Sequence, residues 1–490
     1  MKTKSFILLL CAVLYGLAVR GANIEFADAN VKALCIQNWD TNGDGELSET
    51  EAAAVTDLGG VFQSNSSITS FNELKYFTGL KRIDNKNFYE CSSLTSIVIP
   101  NSVTSIGSYD FYGCSSLESI QVAAGNTVYD SRNNCNAIIE SNSNTLIVGC
   151  KKTIIPDNVT SIGSIAFSGC TSLTSIEIPS SVTTIGNRAF YGCTGLTSIV
   201  IPNSVTIIGQ EAFRVCRGLT SIIIPSSVTT IRRFTFAGCS GLTSIEIPNS
   251  VTTIGTGAFS GCSGLTSIVI PNSVTSIASS AFYECKALSY LVIPNSITNI
   301  LHRAFYNCSG LDAVISESEQ PATLESSVFF GCKNATLYVP YGCSGAYSSW
   351  AAYFKYVKEM PATRPNTPID SDSPAIKFAD GNVKALCVVN WDTDHDWELS
   401  EAEAAAVTDL GYVFSNNSSI TSFNELQYFT GLTKIGDYAF FNCWYLSSIE
   451  IPNSVTSISN SAFQVCISLT SIEIPNSVTN IGNSAFWLCI

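Results

Sequence analysis

The sequence predicts a repeat solenoid of short parallel strands carrying small helical caps, and three observations predict it. First, a 23-residue unit recurs: Pro179, Pro202, Pro225, Pro248, Pro271 and Pro294 are evenly spaced, as are Cys170, Cys193, Cys216, Cys239, Cys262, Cys285 and Cys308. A fixed period in this range marks coils that stack only on their neighbours. Second, each unit places β-branched runs between turn residues, as in Leu173-Thr-Ser-Ile-Glu-Ile-Pro179 and Val182-Thr-Thr-Ile-Gly186. Third, a block without the repeat, carrying two short helical patterns around an acidic loop, precedes each of two arrays.

In chain order, residues 1–21 read as an export signal. Lys2 and Lys4 precede an apolar run from Phe6 to Val19, too short for a comfortable membrane span, and the mature chain is expected to start near Ala22. Residues 22–67 form the first cap and residues 68–336 the first array, interrupted by a hairpin insert at 122–152. Residues 337–360 leave the pattern. There Tyr347, Trp350, Ala351, Phe354 and Val357 fall at helical spacing, which predicts an amphipathic helix closing the last coil. Residues 361–374 contain four prolines and read as a stiff linker. Residues 375–419 repeat the first cap, with Phe-Ala-Asp, Val-Lys-Ala-Leu-Cys and Asn-Trp-Asp-Thr in both copies. A second array, 420–490, stops at Cys489-Ile490 in mid-unit. An open solenoid end exposes apolar surface and strand edges, so the sequence reads as truncated, or as closed there by a partner.

Composition narrows the function classes. Of 490 residues, 46% are hydrophobic and only 13% charged, and the formal net charge is −14. That balance excludes nucleic acid as the expected partner, since phosphates need clustered Lys and Arg. It also disfavours anionic membrane surfaces. No second apolar stretch is long enough to span a bilayer, so an exported, non-spanning monomer is expected.

Within a unit, the Leu-Thr-Ser-Ile-x-Ile segment suits a strand that turns a corner at Pro, and Val-Thr-x-Ile-Gly suits a second. The Ala-Phe pair and Cys then lie on the connecting turn with side chains inward. One coil's few buried side chains cannot offset the entropy of ordering its backbone, so only stacking makes the array stable. These residues resemble the BspA-like leucine-rich repeats, a 23-residue class of bacterial surface proteins, over about two-thirds of the chain. The resemblance implies a secreted or surface-exposed leucine-rich repeat solenoid. Several members of that class are linked to adhesion and host-protein binding.

The outward strand position changes from coil to coil: Glu177, Val200, Ile223, Glu246, Val269, Val292. Beside the Thr/Ser pairs Thr174-Ser175, Thr197-Ser198 and Thr243-Ser244, it makes a flat, weakly acidic strip and a candidate binding surface; solvated sheet is the plainer reading. Arg188, Arg214, Arg217, Arg232 and Arg233 fall within three coils, a docking patch or a set of local charge pairs.

Repeat cysteines read as small buried hydrophobes, since side chains stacked in one ladder do not meet. Cys135 and Cys150 are the exception. They flank a hairpin with Ser141-Asn-Ser-Asn144 at its loop, and a register pairing Glu140 with Thr145 would place them opposite each other as a disulfide.

Asp40-Thr-Asn42-Gly-Asp44-Gly45-Glu46-Leu-Ser48-Glu-Thr-Glu51 follows the spacing of an EF-hand loop. Asp40, Asn42 and Asp44 would supply side-chain oxygens, Glu46 its carbonyl, Ser48 a water-mediated contact and Glu51 two carboxylate oxygens to Ca2+. Gly45 takes the sharp turn. The second copy keeps Asp392, Asp394, Asp396, Glu398, Ser400 and Glu403 but has Trp397 in place of the glycine. A non-Gly residue in left-handed geometry costs about 1–2 kcal/mol, so weaker binding is expected there. Calcium is expected to order each cap rather than to signal.

The chain holds two histidines, His302 and His395, on a repeat turn and at a non-ligand position of the second loop. No nucleophile motif, paired catalytic carboxylates or phosphate loop stands out, so an enzyme is not expected. The leading expectation is adhesion-type binding of host or neighbouring-cell proteins or glycans. The rival is a spacer that carries another module and has no ligand of its own.

Overall fold

The computed structural model describes residues 21–84, 86–360, 373–394, 397–417 and 420–489. The expected export signal up to Arg20, most of the linker, and His395 and Asp396 lie outside the described residues. The chain forms two compact units, Met1–Gly241 and Leu242–Ile490.

In the first unit, helix α1 (Ala29–Trp39) begins at Asp28, whose carboxylate accepts from the Asn30 and Val31 backbone N–H groups. Its other oxygen accepts from Thr69 Oγ1 at 2.6 Å, tying the helix to the first coil. Helix α2 (Glu49–Ala54) opens on a reciprocal capping box between Ser48 and Glu51. Trp39 then packs on Phe62 and Phe77, and Phe62 stacks on Phe88, so cap and array share one core.

Each coil contributes two strand positions. Pairs such as Ser161–Ile162, Thr184–Ile185 and Ile207–Ile208 form one parallel ladder, each residue facing its equivalent one coil on. The Leu-Thr-Ser-Ile-x-Ile segments form the other. They make full strands at Ser96–Ile99 and Ser119–Val122 but only an isolated bridge at Glu177↔Val200. The Ala-Phe-Cys turn points inward as expected: Ala189, Phe190 and Cys193 are fully buried. Phe167, Phe190, Phe213 and Phe236 stack 5.1–5.7 Å apart in nearly parallel planes.

Side chains stitch the coils together. Cys193 Sγ donates to the Phe167 carbonyl at 3.1 Å and Cys216 Sγ to that of Phe190 at 3.1 Å. Ser181 Oγ reaches the Val159 carbonyl, and Ser204 Oγ that of Val182, each at 2.7 Å. The repeat cysteine is therefore a hydrogen-bond donor to the previous coil as well as a core group. The thiol is a second donor there, since the Phe167 carbonyl also accepts from Cys170 N at 3.0 Å and that of Phe190 from Cys193 N at 3.2 Å.

The insert forms the expected hairpin, Ala137–Glu140 against Thr145–Gly149, with Glu140 opposite Thr145. The expected Cys135–Cys150 disulfide is corrected: both are free thiols. A register shift between Ile138 and Ile139 pairs Ala137 with Gly149, which takes the two cysteines out of opposition. Cys150 Sγ donates instead to the Asn136 carbonyl at 3.3 Å.

In the second unit the strands Ser267–Val269, Tyr290–Ile293, Ala313–Ser316, Thr336–Val339 and Tyr356–Glu359 pair in parallel, in that order. The expected closing helix is corrected here. Helix α3 covers only Ser348–Ala351, and Val357 lies in the last strand. Trp350 and Phe354 still close the core, packing on Phe329, but the chain regains a sheet edge that a longer helix would have left bare. The second cap follows, with α4 (Gly381–Trp391) and α5 (Glu401–Ala406), and repeats the first: Asp380 caps α4 and binds Thr421. Helix α4 also packs on the strands Tyr290–Ile293 and Ala313–Ser316. Among the described residues no helix is long and apolar enough to cross a membrane.

Candidate functional site

The acidic loops are set up by their helices. Trp39 ends α1, so Asp40 enters the loop at once. Its two oxygens accept from the backbone N–H groups of Gly43 at 2.6 Å and Gly45 at 2.9 Å. Asn42 Oδ1 accepts from Asp44 N at 2.9 Å, and Asp44 Oδ1 from Glu46 N at 3.0 Å. Gly45 has φ +81°, the left-handed turn expected of it. Glu51 folds back across the loop: Oε1 accepts from Thr41 N and Thr41 Oγ1, Oε2 from Ser48 N and Ser48 Oγ. Burial opposes ionisation of Glu51, but the bonds from Ser48 and Thr41 outweigh it and hold its carboxyl at about 2. The Glu46 side chain turns away to Lys32 at 2.7 Å, which leaves its carbonyl as the group available to the loop.

In the second loop Asp392 is fully buried, and its Oδ2 accepts from Trp397 N at 3.1 Å. Trp397 takes φ +66°, the strained conformation expected where glycine is missing. Asp392, Asp394 and Glu403 each bring a carboxylate oxygen within 4.8 Å of the others. Oxygens so gathered suit one hard cation bound at about 2.3–2.6 Å. The donor set thus fits calcium, and among the described residues no other trio of acidic, Cys or His groups converges in this way. Burial raises the Glu403 carboxyl, but bonds from Ser400 and Thr393 bring it below the usual range. The Glu398 side chain pairs with Lys384 at 2.6 Å, as Glu46 does with Lys32.

The outward strand positions fall into two groups. In the first unit Val200 is 77% and Ile223 72% exposed, with Glu177 exposed beside them. Thr197 Oγ1 donates to the Thr174 carbonyl at 3.3 Å and Thr220 Oγ1 to that of Thr197 at 3.4 Å, a hydroxyl ladder along the strip. In the second unit Glu246 and Val269 are exposed. Val292, at the same position, is covered, and so are Ile315 and Tyr338 on the next strands. The spacing of the repeat gives no sign of that cover, which comes from α4.

Two arginines of the patch pair locally, and Arg233 lies over the Phe234 ring at 4.8 Å. Glu211 accepts from Arg188 at 3.0 Å and from Arg214 at 2.9 Å, and Arg188 also reaches the Tyr109 hydroxyl at 2.8 Å. His302 bonds to Ser326 on the next turn. The repeat thiols are not poised for reaction: burial pushes Cys239 up to about 12 and keeps it protonated.

The BspA type leucine rich repeat region matches residues 60–147, 137–262, 229–350 and 411–490. No curated protein is significantly similar to the chain. Among solved structures, a leucine-rich repeat protein from Bacteroides ovatus is 25% identical over 84% of this chain and 80% of its own, with a TM-score of 0.41. One from Eubacterium ventriosum is 33% identical over 46% of this chain and 62% of its own, with a TM-score of 0.43. A leucine rich cell surface protein from Faecalibacterium prausnitzii is 28% identical over 56% of this chain and 86% of its own, with a TM-score of 0.35. With its stacked coils, inward Ala-Phe-Cys turns and matches over most of its length, this chain belongs to the BspA-type leucine-rich repeat family.

Proposed function

We propose that the chain is an exported, cell-surface repeat protein that binds proteins or glycans of a host or neighbouring cell through its outward strand face, with calcium ordering its caps. The observation that carries this reading is the pair Val200 and Ile223, 77% and 72% exposed on successive coils of a fold that buries nearly every other aliphatic of the repeat. Single exposed aliphatics are ordinary, whereas aligned ones flanked by a hydroxyl ladder form a continuous contact strip. Glu177 gives the strip its weakly acidic character and disfavours anionic ligands. Family membership supports the surface location.

Calcium is supported by the convergence of Asp392, Asp394 and Glu403 and by the matching order of Asp40, Asn42, Asp44 and Glu51. When bound, it would supply a divalent centre that neutralises these carboxylates and joins the two helices of each cap. The residues hold the loop in place by themselves: Ser48 and Thr41 fix Glu51, and Ser400 and Thr393 fix Glu403.

Binding of the full chain to arrays of matrix proteins and glycans tests the reading. A ligand lost on the double change Val200→Lys and Ile223→Lys, with the melting temperature unchanged, is the expected result. A chain that retains no array component, or retains it equally after the double change, points to a spacer without a ligand on this face.

A further inference from the structure

The two cap helices are near copies, ANVKALCIQNW in α1 and GNVKALCVVNW in α4. They differ at three positions: Ala29 against Gly381, Ile36 against Val388, and Gln37 against Val389. In α4 all three are buried, although Val383 and Cys387, not these three, match the core residues Val31 and Cys35 of the first cap. What covers them is the outward face of the array, where Tyr290, Val292, Ala313, Ile315 and Tyr338 join one core cluster with Leu386, Val388 and Val389. The fit is close. A Cβ added at Gly381 would lie 2.6 Å from the Ser289 carbonyl oxygen, so the alanine of the first cap would not seat here. Lys384 Nζ lies 4.6 Å from the centre of the Tyr290 ring, a cation–π contact that its counterpart Lys32 does not make among the described contacts. The three differences between the copies are therefore the changes that let α4, and not α1, take this face.

One group at the joint is out of keeping with it. Asp312 stands where the preceding coils carry Thr266 and Ser289, whose hydroxyls donate along the ladder. A carboxylate cannot donate, and it sits near Asp380, the N-cap of α4. We propose that α4 and the strand face Tyr290–Tyr338 form a reversible docking joint between the second cap and the first array, one that grips more tightly as the solution becomes mildly acidic. Burial first, and then the negative charge of Asp380, push the Asp312 carboxyl from 3.8 up to about 6. The proton therefore binds better to the docked state. Docking is favoured below the ordinary aspartate range and weakens as pH rises through about 6. The other ionisable groups around the joint leave this sign unchanged. Lys384 is paired with Glu398, and Lys358 lies on the strand beyond Tyr338. Tyr338 is a phenol pushed further up by burial and then by the charge of Asp380, so it stays neutral between pH 5 and 7.5.

The test places a protease site within residues 361–372 of the full chain, cleaves it, and measures re-association of the two pieces by sedimentation at pH 5.0 and 7.5. The dissociation constant is expected to be about tenfold lower at pH 5.0, the change that a carboxyl moving from 3.8 to about 6 produces over that interval. Asp312→Asn should bind equally at both pH values, and about tenfold or more tighter than the parent does at pH 5.0, because the parent carboxyl is only partly protonated in the undocked state there. Gly381→Ala, which favours the helix itself, should weaken association at both, whereas Ala29→Gly should change neither. Equal affinity of the parent at the two pH values, an unaltered pH ratio in Asp312→Asn, or full association of Gly381→Ala would each overturn the proposal. Pieces that never separate at either pH would overturn its reversibility.

Discussion

Two backbone positions in each of four successive coils are left-handed, one two residues before the inward Phe and one before the Cys. Ile165, Arg188, Glu211 and Phe234 occupy the first, and Gly169, Gly192, Val215 and Gly238 the second, all with φ between +53° and +77°. Glycine takes this conformation freely, whereas a β-branched side chain is strained by it. Val215, at φ +63°, is thus the misfit of its column. Val215→Asn is expected to stabilise the array by about 1 kcal/mol, read from the urea midpoint, because Asn tolerates left-handed backbone best among non-glycine residues. Glu51 gives the sign of an acid response. Its folded carboxyl sits at about 2 against 4.5, so its contribution is present above about pH 4.5 and is lost as pH falls towards 2. In EDTA, Glu51→Gln should lower the melting temperature of the first cap at pH 7 and flatten its dependence on pH below 5.

At the scale of the element, the cysteine column joins neighbouring coils. Cys216→Ala removes the thiol donor to the Phe190 carbonyl, which keeps its bond from Cys193 N, and leaves a small void, at an expected cost of about 1–3 kcal/mol in urea unfolding. Because the described cysteines form no disulfide, denatured and unreduced protein should react with a thiol reagent at each of them. Folded protein should react chiefly at Cys343 and Cys489, the two that are not fully buried among those described. The caps make a separate prediction. Calorimetric titration should find two calcium sites, Glu51→Gln removing one and Glu403→Gln the other. The same titration ranks Gly45, which turns without strain, against Trp397, whose loop already has its carboxylates gathered.

For the whole molecule, charge decides more about partners than fold does. With a formal net charge of −14 and a pI near 4.6, the chain is expected to pass unretained through heparin and DNA columns at physiological salt. Retention would place a basic surface outside the Arg188–Glu211–Arg214 pairs. Each cap starts an aromatic cluster on its tryptophan, Trp39 on Phe62 and Phe77 and Trp391 on Phe414 and Phe429.

The 23-residue period determined the solenoid, the inward column of Leu, Ile, Phe and Cys, and the outward column that includes Val200 and Ile223. It could do so because each coil meets only its neighbours, so local spacing already states which side chains face the core. The order of loop oxygens in the caps was legible for the same local reason. Long-range contacts decided the rest. A bulge between Ile138 and Ile139 shifted the register and parted Cys135 from Cys150, and pairing with Thr336–Val339 drew Val357 into a strand. Seating of α4 on the Tyr290–Tyr338 face covered Val292, an outward residue by its period. Register, edge pairing and docking depend on what a segment meets across space, and the repeat leaves that unspecified.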